Sequence, residues 1–149
     1  MIGHDDLIIL SQKMFENYEN LTLILASKYP FLFVDEYQDT TPEIINALLD
    51  YLLSRHKEKI VLGFYGDSHQ KIYDQGVGSL DSYLDSKIID IITKSENYRS
   101  CQEIIDLLNN IRSNIKQEIP DGLQKESGSV RFINCKNYPL KEKNQKVKE

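Results

Sequence analysis

The sequence predicts an α/β domain whose strands run parallel and whose helices cover both faces of the sheet. Two observations carry this. Short apolar runs at 31–34, 60–65 and 88–93 have the length of strands, and stretches with apolar residues at helical spacing alternate with them. Strands that alternate with helices select a parallel sheet. A continuous apolar strand such as Phe-Leu-Phe-Val at 31–34 is expected to be buried on both faces.

Each element follows from local chemistry. Over 5–18, Leu7, Leu10, Met14 and Tyr18 recur at helical spacing beside Ile8 and Phe15, which predicts an amphipathic helix. A second apolar helical piece covers 21–28 and stops before Pro30. After the first strand, Thr41-Pro42 reads as a helix start, a hydroxyl N-cap followed by Pro at the first helical position. Ile44, Ile45, Leu48, Leu49, Leu52 and Leu53 form its apolar stripe. The positive run Arg55-His56-Lys57 suits its C-terminus. Strand 60–65 follows and ends at Gly66-Asp67. The polar stretch 68–86 reads as a short helix, a loop and another short helix. After the third strand, Ser100 and Glu103 have capping-box spacing. The next helix is expected to bury Ile104, Leu107, Leu108, Ile111 and Ile115. Pro120-Asp121-Gly122 is a turn, 130–135 is a candidate fourth strand, and the Lys-rich end is expected to fray.

Composition bounds the function. A chain of 149 residues is one ordinary domain or a piece of a larger one, long enough to bury roughly 70% of its unfolded surface. No apolar run approaches the ~20 residues of a membrane span, and no signal peptide is evident. Cys101 and Cys135 lack metal-ligand spacing and read as free thiols in a reducing cytosol. Residues 136–149 carry five Lys and two Glu, +3, so the rest of the net charge of −5 is −8. Such a body is a poor non-specific nucleic-acid binder, because phosphate binding needs clustered cations. Any DNA contact is therefore expected through a local groove or with the help of parts outside this chain.

The chemistry collects where the strands end. In open α/β sheets, ligands bind outside the carboxyl ends of the strands. Asp35 and Glu36 end the first strand, Gly66 and Asp67 the second, and Asn97, Tyr98 and Arg99 follow the third. A carboxylate there can hold Mg²⁺ for a nucleotide, and its neighbour can orient or deprotonate an attacking water. Gln70 can position that water or sense a terminal phosphate, and Arg99 can neutralise charge on a transferred phosphoryl group. The alternative is an acidic turn that caps the helix starting near Pro42. Proximity to that helix favours the cap for Asp39 and not for Asp35 and Glu36.

Three segments, VDEYQDT, GDSHQKIY and ENYRS, in this order and roughly 30 residues apart, resemble three motifs of superfamily 1 DNA helicases of the UvrD/Rep/PcrA type. Asp5-Asp6-Leu7 is also similar to the family's segment where the chain re-enters the first RecA-like domain. The likeness covers residues 5 to about 115, and 128–135 resembles, more weakly, the first strand of a second RecA-like domain. It implies a RecA-like parallel sheet flanked by helices, part of a P-loop NTPase domain. By this likeness 1–120 is part of the first RecA-like domain, and 121–149 is a linker, the first strand of the second and a basic tail.

The resemblance also implies roles. Asp35 matches the Walker B carboxylate for Mg²⁺ and Glu36 the general base for ATP hydrolysis. Gln70 matches the glutamine that links the γ-phosphate to the DNA site. Arg99 matches the motif IV arginine on that phosphate, and Tyr98 the tyrosine that stacks on adenine. Tyr73 matches an aromatic that stacks on a base of single-stranded DNA, a sequence-tolerant contact. For Tyr73 and Tyr98, core packing is the other reading. The implied cofactors are ATP and Mg²⁺. The implied partners are single-stranded or partly duplex DNA and the remaining helicase domains, in the cytoplasm and without a membrane.

Two departures matter. After Tyr73 the family usually continues with a second aromatic and basic residues, whereas here Asp74-Gln75-Gly76-Val77-Gly78 follows. No phosphate loop G-x-x-x-x-G-K-[ST] exists, and none of the seven glycines precedes a Lys. The sequence therefore predicts a fragment of an ATP-dependent helicase that is inactive alone. Two competing readings are a non-catalytic adaptor on the same fold and a metal-dependent nuclease built on the acidic cluster. Pro120-Asp121 invites the second, but no Glu-x-Lys follows.

Overall fold

A computed structural model describes residues 3–123 and 126–133. The chain divides into two compact units, 1–91 and 92–149.

The first unit opens with helices α1 (His4–Asn17) and α2 (Glu19–Lys28), followed by strand β1 (Phe31–Val34) and a 3₁₀ turn, Tyr37–Asp39. Helix α3 (Pro42–Asn46) runs into a π-helical stretch, Ala47–Leu53, and a last turn, α4 (Ser54–His56). Strand β2 (Val61–Phe64), a 3₁₀ turn at Ser68–Gln70 and helix α5 (Asp81–Asp85) complete it. The expected order of elements is thus present up to residue 86.

β1 and β2 pair in parallel, with Phe31 opposite Val61 and Val34 opposite Phe64. Pro42 sits in the first turn of α3, where its missing N–H costs nothing. Thr41 is the N-cap, but through its backbone: its carbonyl accepts from Ile44 and Ile45 N–H, while its buried hydroxyl has no partner among the described residues. One core cluster joins Ala26, Leu48, Leu52 and Ile60, with Phe15, Leu32, Val34, Leu62 and Phe64 packed against it. A second joins Ile45, Leu49 and Leu80. Arg55 closes α1 by donating to the carbonyls of Phe15 at 2.6 Å and Glu16 at 2.7 Å, which uses a cation on orphan helix-end carbonyls.

Burial departs from expectation in two places here. The sheet is covered on one face only. Leu32 and Val34 turn to the core, whereas Phe31 and Phe33 are 64% and 59% exposed. Side chains alternate along a strand, so covering the second face requires a second layer, and none packs there among the described residues. On α1, the stripe Leu7, Leu10, Met14 and Tyr18 is exposed; the half-buried side is Ile8, Gln12 and Phe15. Helical spacing permits both faces, and the position of the sheet selects one.

The expected third strand does not form. Residues 88–93 have no partner strand among the described residues, and Ile91 and Ile92 are 74% and 94% exposed. An apolar run becomes a strand only when a neighbour takes its backbone N–H and C=O groups.

In the second unit, a parallel bridge joins Glu96 to Glu118, and helix α6 (Gln102–Ile111) follows. Its N-cap is Cys101, not Ser100, so the expected capping box is shifted out of register. Glu103 instead accepts from Gly128 N–H at 3.0 Å. Hydrogen bonds from its own N–H, that of Gly128 and the Cys101 side chain lower its pKa. Of the α6 residues only Ile105 is buried, whereas Ile104, Leu107 and Ile111 are exposed. Leu108 and Ile115 are half-buried, so the expected apolar face is covered only in part. Residues 130–133 form no strand, and the rest of that expected strand, with the basic end 136–149, lies outside the described residues.

Candidate active site

The parallel register places two loops at one edge of the sheet. The chain leaves β1 at Val34 and β2 at Phe64, which are paired. Tyr65 N–H donates to Val34 C=O at 2.8 Å, and Tyr37 N–H donates to Tyr65 C=O at 3.0 Å. The segments after the two strands are thereby joined for one residue beyond the sheet.

Asp35 and Glu36 are exposed at this edge. Asp35 Oδ1 accepts from Glu36 N–H at 3.0 Å. Glu36 is left-handed, with φ 50° and ψ 46°, which costs a non-glycine residue roughly 1–2 kcal/mol. The chain turns sharply here, and Glu36 C=O accepts from Asp39 N–H to open the 3₁₀ turn. Asp35 is an exposed carboxylate, and Mg²⁺ takes one or two such carboxylates together with phosphate oxygens. The chemistry of this donor fits that ion. Among the described residues, no three carboxylates, imidazoles or thiols converge to hold a metal by themselves.

Asp39 does not cap α3. Its Oδ1 accepts from Ile72 N–H at 2.9 Å and Tyr73 N–H at 3.2 Å. This carboxylate reaches across to the segment after β2 because two adjacent amides there have no helix or sheet partner. It thereby orients the backbone that carries Tyr73. Tyr73 and Tyr98 are 63% and 59% exposed, so neither is a core tyrosine in this structure.

Gln70 is exposed, and its Nε2 donates to Asp67 Oδ2 at 3.1 Å. Asp67 Oδ1 also accepts from His69 N–H and so caps the Ser68–Gln70 turn. Burial raises the Tyr37 phenol, with Asp67 and Asp81 adding to the effect. In the second unit, Asn97 Oδ1 accepts from Arg99 and Ser100 N–H, a turn that presents Tyr98 and Arg99. The Lys94 ammonium lies 5.5 Å from the Tyr98 ring centroid. Asp35, Glu36, Gln70 and Tyr73 all belong to the first unit, and Tyr98 and Arg99 to the second.

The residue that sequence reasoning missed is Gln38. It is 1% exposed. Its Nε2 donates to Glu36 Oε2 at 2.6 Å, its Oε1 accepts from Asp67 N–H at 3.1 Å, and its backbone C=O accepts from Gly78 N–H at 3.0 Å. A Cβ on Gly66 would overlap Gln38 Oε1, and one on Gly76 would overlap Gln38 C=O and come within 2.8 Å of Asp39 Cα. Both glycines allow the chain to close around this side chain. Its position between the acids of the first segment was the available signal. Nothing local says that it turns inward.

Two parallel strands with helices, and carboxylates and amides at their carboxyl edge, make this a small α/β protein, and in open α/β sheets that edge is where ligands bind. Residues 1–88 match the UvrD/REP helicase N-terminal domain, and the chain belongs to that family. It is 40% identical to Gabija protein GajB of Bacillus cereus over 134 residues, 88% of this chain and 19% of the relative. It is 31% identical to ATP-dependent DNA helicase PcrA of Staphylococcus aureus over 126 residues, 82% of this chain and 17% of the relative. It is 28% identical to the PcrA helicase of Leuconostoc citreum over 131 residues, 85% of this chain and 17% of that protein. The chain thus spans less than a fifth of the length of these relatives. No helix among the described residues is long and apolar enough to cross a membrane.

Proposed function

We propose that this chain is part of the first RecA-like domain of an ATP-driven DNA helicase or translocase. The observation that carries the reading is the joined strand edge: Asp35 and Glu36 after β1 stand beside Asp67 and Gln70 after β2, with Gln38 bonded to both sides. Relatives named as ATP-dependent DNA helicases support it.

In this reading the three segments are the Walker B, third and fourth motifs of the motor. Asp35 would hold Mg²⁺, which neutralises phosphate charge when bound. Glu36 takes the proton of the attacking water. Gln70 senses the terminal phosphate and passes its state to Tyr73, whose exposed ring stacks on a base of single-stranded DNA. Arg99 neutralises charge on the γ-phosphoryl group as it is transferred, and Tyr98 stacks on adenine. Residues 1–120 belong to the first RecA-like domain, and 121–149 lead into the second. The motor works on single-stranded or partly duplex DNA in the cytoplasm, with the remainder of the first RecA-like domain supplying the phosphate loop that this sequence lacks.

The test is steady-state ATP hydrolysis by the full-length protein that carries this chain, with single-stranded DNA present. Glu36→Gln should lower kcat by about 10²–10⁴-fold and leave DNA affinity intact. Near-normal turnover would remove Glu36 from the mechanism. The 149-residue chain alone should hydrolyse no Mg-ATP; turnover that disappears on Glu36→Gln would refute the fragment reading.

A further inference from the structure

We infer that Gln38 is a positioning residue that aims the Glu36 carboxylate and ties it to the segment after β2. The inference rests on the reading of Glu36 as the base. It begins with the amide orientation. Asp67 N–H, 3.1 Å away, can only face an acceptor, so Oε1 points there and Nε2 must face Glu36. Nε2 then donates to Glu36 Oε2 at 2.6 Å, the short distance of a hydrogen bond to a charged acceptor. One carboxylate oxygen is held, and the other remains directed by it.

Glu36 needs such a restraint. Its side chain is exposed, so packing does little to fix its rotamer. A general base must sit within hydrogen-bond reach of the water that it deprotonates. Gln38 is buried, so its own rotamer is locked, and it transmits that order outward. The same side chain and its carbonyl bind Asp67 and Gly78, which bracket Gln70 and Tyr73. A shift of the 66–78 segment therefore moves the amide that orients Glu36. Gln38 thus links the base to the segment carrying Tyr73 by a path separate from the Gln70 side chain.

Gln38→Glu is the discriminating variant. It keeps the shape and keeps an oxygen for Asp67 N–H, but replaces the donor facing Glu36 with a second carboxylate. In the full-length protein, kcat for DNA-stimulated hydrolysis should fall about tenfold or more, the size of one lost charge-assisted hydrogen bond. KM for ATP and the affinity for a fluorescent ATP analogue should stay within about twofold, since neither contact is altered. Gln38→Met, which keeps the volume and removes both polar atoms, serves if Gln38→Glu does not fold. Unchanged kcat in a folded variant, or a rise in KM without loss of kcat, overturns the proposal. Collapse of both variants below the assay temperature also overturns it, because Gln38 would then be structural. Glu36→Gln run in parallel separates the two failures. If Glu36→Gln turns over normally, the base assignment is wrong; if only the Gln38 variants do, the positioning role alone is wrong.

Discussion

The strand edge at 34–40 and 65–78 and the stretch 88–111 are equally well supplied with chemistry-bearing residues, yet they differ in how they are held. At the edge, polar groups find partners within the first unit. Asp39 takes two amides, Gln38 takes one and gives one, and Tyr37 joins Tyr65. Residues 88–111 carry apolar side chains that need cover, and Ile91, Ile92 and Ile111 stand exposed. The contrast teaches which contacts each kind of side chain needs. Hydrogen bonds between neighbouring loops are satisfied by a few named partners. Apolar strands and stripes are satisfied only by whole layers, and none covers these side chains among the described residues.

Substitutions can break or sharpen this contrast. The largest effect is expected in the shared core of the first unit. Leu52→Ala empties a fully buried site packed among Ala26, Leu48 and Ile60 and should cost about 2–5 kcal/mol in denaturant unfolding. Ile105→Ala, equally buried but outside both core clusters, should cost less. Equal losses would show that α6 has a core of its own and would break the comparison. Gly76→Ala comes next. Its Cβ would press on the Gln38 and Asp39 backbone, which should cost about 1–3 kcal/mol and loosen the amide protection of Ile72 and Tyr73 in hydrogen exchange. Retained protection would mean that the loop yields without disturbing Asp39. The smallest effect belongs to Ile92→Lys. At 94% exposure it should change stability by no more than about 0.5 kcal/mol in denaturant unfolding. A large loss of stability would show that Ile92 is covered in solution.

Much of this was legible in the residues themselves. The apolar run at 31–34 marked β1, Thr41-Pro42 marked the start of α3, and the acids after Val34 stand where the sequence put them, at the carboxyl end of that strand. These are local signals: spacing sets the helix or strand period, Pro restricts its own backbone, and a carboxylate is recognised by its type. Tertiary structure alone decided that Phe31 and Phe33 stay exposed, that α1 turns Ile8 and Phe15 toward the core, that Asp39 reaches the Tyr73 backbone and that Gln38 lies inside. Each of those outcomes depends on a partner about thirty residues or more away in the chain, or on a layer that the described residues do not include. A residue's own chemistry states what it can bond to; burial and hydrogen-bond partners are properties of pairs, and only the fold brings the pairs together.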